Sequence, residues 1–325
     1  MLMLLWGLPD ERPMRAVADA LQQAGVEPVV LDQRRAGTMR VTLEIGAAVG
    51  GAITIGRRRI DLTSIDAAYA RPYDTAGLHE PGSATLARAI ANDESLLSWC
   101  DTTPALVLNR PSSMASNSAK PYQLQLIRAG GFAVPETLVT TDREAAEAFW
   151  EKHGAVIYKS VSSVRSQVSQ LTEAHRERLG DVAACPTQFQ QYIPGCDHRV
   201  HVVGDAVFAC ALECDADDYR YAGDGALAAR AVDLPDDIAE RCIRLSHSLG
   251  LPLAGIDLRL TPDGEWYCFE VNPSPAFTFY SGRTGQDIAG AIAALMIRTA
   301  FAAGAPAFLR EMPTIQEVQD AGRRL

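Results

Sequence analysis

The chain opens with a continuous apolar run, LMLLWG, which reads as a buried strand. From Glu11 to Ala24 the apolar residues Met14, Val17 and Leu21 recur at helical spacing, and Gly25 closes that helix. PVVLD is a second buried strand. MRVTLEIG and GAITIGRRRIDL alternate apolar and polar residues, as half-buried strands do. AAYARP is another strand, and the stretch from Ala84 to Cys100 is helical. This β-α-β opening predicts an α/β layer of about a hundred residues. It contains no GxGxxG, so the dinucleotide fingerprint is absent. The proline-flanked strand in DTTPALVLNRP (Asp101 to Pro111) marks a boundary.

Beyond the boundary the periodicity changes. A helix is expected from Asn117, with Pro121 in its first turn and Gly130-Gly131 at its end. Thr141 to Glu144 reads as a capping box that opens a helix running to His153. AVIYKS and TQFQQYI are strands, and Pro194-Gly195 breaks the chain. RVHVV-GD-AVFACAL is a hairpin. Residues 236–249 form a helix that turns Ile238, Cys242, Leu245 and Leu249 inward and stops at Gly250. A last helix is expected from about Gln286 to Ala300, and the tail after Phe301 is weakly patterned. The pattern predicts an α/β domain over 1–104 and a tail over 306–325.

The most informative stretch is GIDLRLTPDGEWYCFEVNPSP, residues 255–275. It reads as two strands joined by a turn containing Pro262, Asp263 and Gly264. Glu270 and Asn272 lie two apart and share a face. A two-residue turn at either Pro262-Asp263 or Asp263-Gly264 brings Asp257 onto that face. A three-residue turn inverts it. Two carboxylates and an amide oxygen on one face form an all-oxygen set suited to Mg²⁺ and its bound phosphates. Solvated acids would be the plain alternative, but these lie among Ile256, Leu258, Tyr267, Phe269 and Val271, where an unpaired carboxylate is costly.

Composition narrows the class. The 325 residues carry a formal net charge of −10. That balance disfavours a nucleic-acid surface, which rewards a basic patch. The seven cysteines are odd in number and contain no CxxC pair; most sit in apolar runs, which suits a reduced, cytoplasmic compartment. Cys210 and Cys214 lack the second Cys or His pair that zinc needs. The amino-terminal run lacks a basic n-region and a cleavage site, so it reads as a strand and not a signal peptide. No apolar stretch approaches membrane-spanning length.

Several further side chains are candidates for chemistry. Lys120 lies at a helix start and Lys159 near the end of an apolar strand. An isolated lysine is usually a solvated cation. Two of them beside a metal site suit a nucleoside triphosphate. Asp197 and Arg199 share a face at a strand's start. There an acid can accept from ribose hydroxyls and an arginine can clamp a phosphate or carboxylate; a surface ion pair is the competing reading. Arg220, in DDYRYAGDG, is a loop candidate, and Arg71, in YARPYD, is a comparable candidate from the first domain. His79, His153, His175, His198, His201 and His247 form no HxxxH pair, and no GxSxG is present.

Taken in order, Lys120, Lys159, the QQYI segment, DHR, GIDLR and FEVNPSP resemble the ATP-grasp superfamily. They are most similar to the branch holding the ribosomal-protein S6 glutamate ligase, glutathione synthetase and the ligases that cross-link ribosomal peptides. The resemblance covers roughly residues 105–300 and implies a two-part α+β ATP-grasp fold after the α/β amino-terminal domain, with a central subdomain over 105–195 and a carboxy-terminal subdomain over 196–305 that carries the metal site. It implies ATP with Mg²⁺, or Mn²⁺ in its place. Adenine would lie against the backbone of Gln190, Gln191, Tyr192 and Ile193, and Asp197 would bind ribose. Lys120 and Lys159 would bind phosphates, and Asp257, Glu270 and Asn272 would ligate the metal. Arg199 and Arg220 would lie near the γ-phosphate and the acyl substrate.

The implied activity is a carboxylate–amine, or hydroxyl, ligase working through an acyl phosphate on an amino acid or peptide, with a homo-oligomer as one assembly. A small-molecule kinase on the same scaffold and a non-catalytic ATP-binding regulator are the alternatives. One departure stands out. The run after Lys159, SVSSVRSQVSQ, has no glycine where relatives often carry several; its hydroxyls, backbone N–H groups and Arg165 are the available donors.

Overall fold

The computed structural model describes residues 1–46, 49–160, 169–213 and 228–304. The chain divides into two compact units, one of Met1–Val107 with the segment from Ile292, the other of Leu108–Ala291. In the first, β1 (Met3–Gly7) leads through α1 (Arg12–Gln23) to β2 (Val29–Asp32). There follow β3 (Met39–Ile45), β4 (Val49–Ile55), β5 (Arg58–Asp61), β6 (Ala67–Arg71), α2 (Ala84–Thr102) and β7 (Leu106–Leu108). The main sheet has the order β2-β1-β6-β7. Strand β1 pairs in parallel with both β2 and β6, so all five of its residues are buried, which is why its sequence is continuously apolar. The alternating segments form a separate antiparallel sheet, β3-β4-β5. Helix α1 buries Met14, Val17 and Leu21, the stripe expected from spacing.

The second unit begins with α3 (Pro111–Met114) and α4 (Lys120–Ala129). Helix α4 starts three residues later than expected. Ala119 holds a non-helical conformation, and Pro121, which has no N–H, takes the first turn. Next come β8 (Thr137–Thr140), α5 (Arg143–His153), β9 (Val156–Ser160), β10 (Ser169–Gln170) and β11 (Thr187–Gln191), in an antiparallel sheet ordered β10-β9-β11-β8. Asp142, not Thr141, caps α5: its Oδ1 accepts from Glu144 N at 2.9 Å. A carboxylate there is at least as good a cap as threonine and also suits the helix dipole. Phe189, Tyr158 and Leu138 pack with Ala146 and Trp150 of α5 on one face of this sheet.

The third sheet is built from β12 (Cys196–Val203), β13 (Ala206–Glu213), β14 (Ala228–Val232), β15 (Leu253–Leu260) and β16 (Trp266–Asn272), with α6 (Asp236–Ser248) intervening. Its order is β14-β13-β12-β15-β16. One face buries Val200, Val202, Ile256, Leu258, Cys268 and Val271 against Ile238, Cys242 and Leu245 of α6 and Leu124 and Ile127 of α4. Helices α7 (Thr278–Thr284) and α8 (Ile288–Gly304) complete the described chain. The cysteines among the described residues form no disulfide. Among those residues no helix is long and apolar enough to cross a membrane.

Candidate active site

The site starts from the β15–β16 hairpin. Leu258 pairs with Cys268 and Leu260 with Trp266, while Asp257 pairs with Glu270 and Gly255 with Asn272. Near the turn the pairing is that of a loop spanning Pro262, Asp263 and Gly264, closed by Thr261 N donating to Glu265 O at 2.9 Å. Neither two-residue turn forms. A three-residue loop alone would send Asp257 to the opposite face. A bulge between Asp257 and Leu258, which leaves Phe269 out of register, reverses the inversion. Asp257, Glu270 and Asn272 thus share one face.

That face continues onto β12. Asp197 lies opposite Arg259 and Arg199 opposite Asp257, so two ion pairs of reversed polarity sit side by side. Arg259 forks onto Asp197, with Nε to Oδ1 at 2.7 Å and Nη2 to Oδ2 at 2.9 Å. Its Nη1 also donates to Ile193 O at 2.7 Å. Arg199 Nη1 donates to Asp257 Oδ1 at 2.5 Å. The Arg199 side chain is only 6% exposed. It fits because residue 255 is glycine: a Cβ there would lie 2.3 Å from Arg199 Nη2 and 2.8 Å from Pro275 Cβ.

Helix α4 brings in the last cation. Gln123 of α4 donates from Nε2 to Val271 O (2.8 Å), and its Oε1 accepts from Val271 N (3.2 Å). Cys268 N donates to Ala133 O at 2.9 Å. These bonds satisfy the free edge of β16 and seat the start of α4 beside it. There Lys120 Nζ contacts Glu270 Oε1 and donates to Asn117 Oδ1 at 3.0 Å. Behind Asn272, the buried Asn109 donates to Leu253 O and Pro273 O and accepts from Leu253 N, tying both strand ends together.

The QQYI segment runs out of β11. Gln190 is buried and donates from Nε2 to Thr137 Oγ1 at 3.1 Å. Gln191 N donates to Glu136 O (2.9 Å) and Tyr192 N to Ala155 O (3.0 Å). Ile193 is buried, with its carbonyl on Arg259. Lys159 lies on β9 opposite Gln188. Arg220, Arg165 and Cys214 lie outside the described residues. Arg71 belongs to the amino-terminal unit, where its Nη2 donates to Glu11 Oε1 at 2.7 Å.

The electrostatics suit an ion with its anionic cargo. Asp257 and Glu270 each hold a cation, Arg199 and Lys120 respectively. Asn272 Oδ1 accepts from Ser274 N at 2.9 Å, which orients the amide and leaves its second lone pair. The donors are oxygens throughout, which fits Mg²⁺. Among the described residues no group of three His, Cys, Asp or Glu side chains is placed to hold a metal; the set here has two carboxylates and an amide. Further along the same face, His201 is 1% exposed. Burial, followed by the nearby Arg199 charge, pushes its pKa well below the usual histidine value.

Sequence reasoning missed four contributors: Arg259, Gly255, Gln123 and Asn109. A glycine inside a strand pattern was a usable signal for Gly255, since it marks close approach of another group. The other three act through partners 62 to 164 residues away, which no local pattern announces.

A parallel α/β layer, an antiparallel sheet ending in the QQYI segment, and a second antiparallel sheet with a carboxylate–amide face together define an ATP-grasp protein. Residues 115–296 match the RimK-like ATP-grasp domain, and the chain belongs to that family. It is 26% identical over 216 residues to N-acetylaspartylglutamate synthase A of Homo sapiens, covering 62% of this chain and 55% of the relative. It is 28% identical over 193 residues to a probable alpha-L-glutamate ligase of Mannheimia succiniciproducens, covering 56% and 64%. The chain spans about half the length of the first of these curated relatives.

Among solved structures, the ATP-grasp ligase PsnB, complexed with minimal precursor, Mg and ADP, superposes with a TM-score of 0.75 at 28% identity, covering 92% of this chain and 97% of that one. The macrocyclase MdnC of Microcystis aeruginosa MRC, bound with precursor peptide MdnA, shares the fold with a TM-score of 0.78 at 24% identity, covering 92% and 100%.

Proposed function

We propose that this chain is an ATP-dependent carboxylate–amine ligase acting on a peptide or amino acid through an acyl phosphate. The observation that carries this reading is the alternation of Asp197–Arg259, Arg199–Asp257 and Lys120–Glu270 across one sheet face, with Asn272 beside them. Stability alone gives little reason for such an arrangement, because half-buried ion pairs roughly break even against apolar residues of the same volume. A site that must receive phosphates and a divalent ion has a use for it.

In this reading Asp257, Glu270 and Asn272 hold Mg²⁺, which supplies charge neutralisation to the phosphates when bound. Lys120 and Arg199, each already beside a metal-binding carboxylate, transfer part of their attraction to the phosphate oxygens. Lys159 does the same from the neighbouring sheet. Asp197, oriented by Arg259, accepts from the ribose hydroxyls. The backbone from Gln190 to Ile193 borders adenine, with Arg259 pinning Ile193 O. A substrate carboxylate oxygen attacks the γ-phosphorus, the bond to the ADP oxygen breaks, and an acyl phosphate forms. An amine nitrogen then attacks the acyl carbon, phosphate leaves, and the nitrogen gives up a proton. Arg220 is assigned to the acyl substrate.

A peptide substrate is favoured by PsnB, which holds a precursor and is 28% identical over nearly the full length of both chains. The curated glutamate ligases support an amino acid as the second reactant. The test is ADP and phosphate release with ATP, Mg²⁺ and a panel of amino acids and acidic peptides. Phosphate release that requires both an acyl donor and an amine supports the reading. ADP with a stable phosphorylated product and no free phosphate indicates a kinase and overturns it.

A further inference from the structure

Strand β11 carries two glutamines on one face, and they are treated differently. Gln190 uses its amide on Thr137. Gln188, two residues earlier, is 1% exposed, and neither its Nε2 nor its Oε1 has a hydrogen-bond partner. Its cross-strand neighbours are Val139 on β8 and Lys159 on β9. Val139 offers no polar side-chain group, and no hydrogen bond joins the Gln188 amide to Lys159. The opposite face, with Phe189 and Tyr158, is the apolar one that packs on α5. Gln188 therefore sits on the face shared by Gln190 and Lys159, with a buried donor and acceptor both unused. Burying an unmatched carboxamide is costly, and native proteins seldom tolerate it without a use.

We infer that Gln188 reads the adenine base. A carboxamide presents a donor and an acceptor side by side. The N6–N7 edge of adenine presents the complement, an amino donor beside a ring acceptor, and glutamine pairs with that edge in both hydrogen bonds at once. Guanine offers two acceptors there and cannot match it. This inference rests on the nucleotide site proposed above, because Gln188 lies between the segment assigned to adenine and the lysine assigned to phosphate. It adds a base-specific contact beyond the backbone of residues 190–193.

The test compares ADP, 7-deaza-ADP and inosine diphosphate by calorimetry on the full chain with Mg²⁺. In the wild type, each analogue lacks one of the two bonds and binds roughly tenfold more weakly than ADP. In Gln188→Met, of similar volume but apolar, ADP weakens to the level of 7-deaza-ADP and the difference vanishes. In Gln188→Glu, two acceptors face N7, so 7-deaza-ADP binds better than ADP. Equal affinity for all three nucleotides in the wild type overturns the inference, as does a Gln188→Met chain that keeps the wild-type ratios, since water or packing then satisfies the amide. Failure of the folded wild type to bind any of them overturns the nucleotide site itself.

Discussion

The two faces of the β14-β13-β12-β15-β16 sheet share a backbone but not a purpose. One face is apolar and complete: Val200, Val202, Ile256, Leu258, Cys268 and Val271 meet α4 and α6 with negligible exposure. The other carries Asp197, Arg199, His201, Asp257, Arg259, Glu270 and Asn272 in successive register positions. The apolar face accounts for stability through area removed from water. The charged face must keep its ions desolvated and aligned, which contributes little net stability. Loss of stability and loss of chemistry should therefore separate by face.

The largest expected effect is on the charged face. Glu270→Gln keeps the volume and removes the charge; turnover should fall by about a thousandfold or more, while the thermal midpoint moves by no more than about 3 °C. Phosphate release and a thermal scan check both halves. Ile256→Ala, its neighbour on the other face, should do the reverse. Urea unfolding should show a loss of about 3 kcal/mol, with kcat preserved where the protein stays folded.

Arg259→Met is a sharper break, because Arg259 holds both Asp197 and Ile193 O. ADP affinity should drop by roughly tenfold to a hundredfold, the scale of a lost charge-assisted bond, with kcat at saturation less affected. The smallest effect is a pH dependence. His201 has its folded pKa below the ordinary 6.5, so the unfolded chain takes up the proton first. The contribution is whole above that value and is lost as pH falls below it. Thermal midpoints between pH 7.5 and 5.5 should fall in the wild type and fall less in His201→Phe. His198, also lowered mainly by burial, adds to the slope in the same direction.

Periodicity made much of this legible. Buried β1, amphipathic α1 and α6, and the hairpin around Asp257 and Glu270 declare themselves, because each presents a regular face to a core. The short strands β8 and β14 and helix α7 do not, because none carries a strong apolar alternation or stripe. The hairpin shows the limit most clearly. Its turn residues are compatible with loops of different length, and only the pairing reveals a three-residue loop offset by the Phe269 bulge. Lys120 and Arg199 were readable as candidates but not as partners. Lys120 meets Glu270 across 150 positions and Arg199 meets Asp257 across 58, and such pairs are set by tertiary packing.

The most direct measurement of the central claim is the Mg²⁺ dependence of ADP affinity in the wild type and in Asp257→Asn and Glu270→Gln. Calorimetric titration should show ADP binding strengthened by Mg²⁺ in the wild type, with that gain abolished in both variants while metal-free binding persists. If either variant retained the full wild-type gain, the metal would lie elsewhere and the charged face would need another explanation.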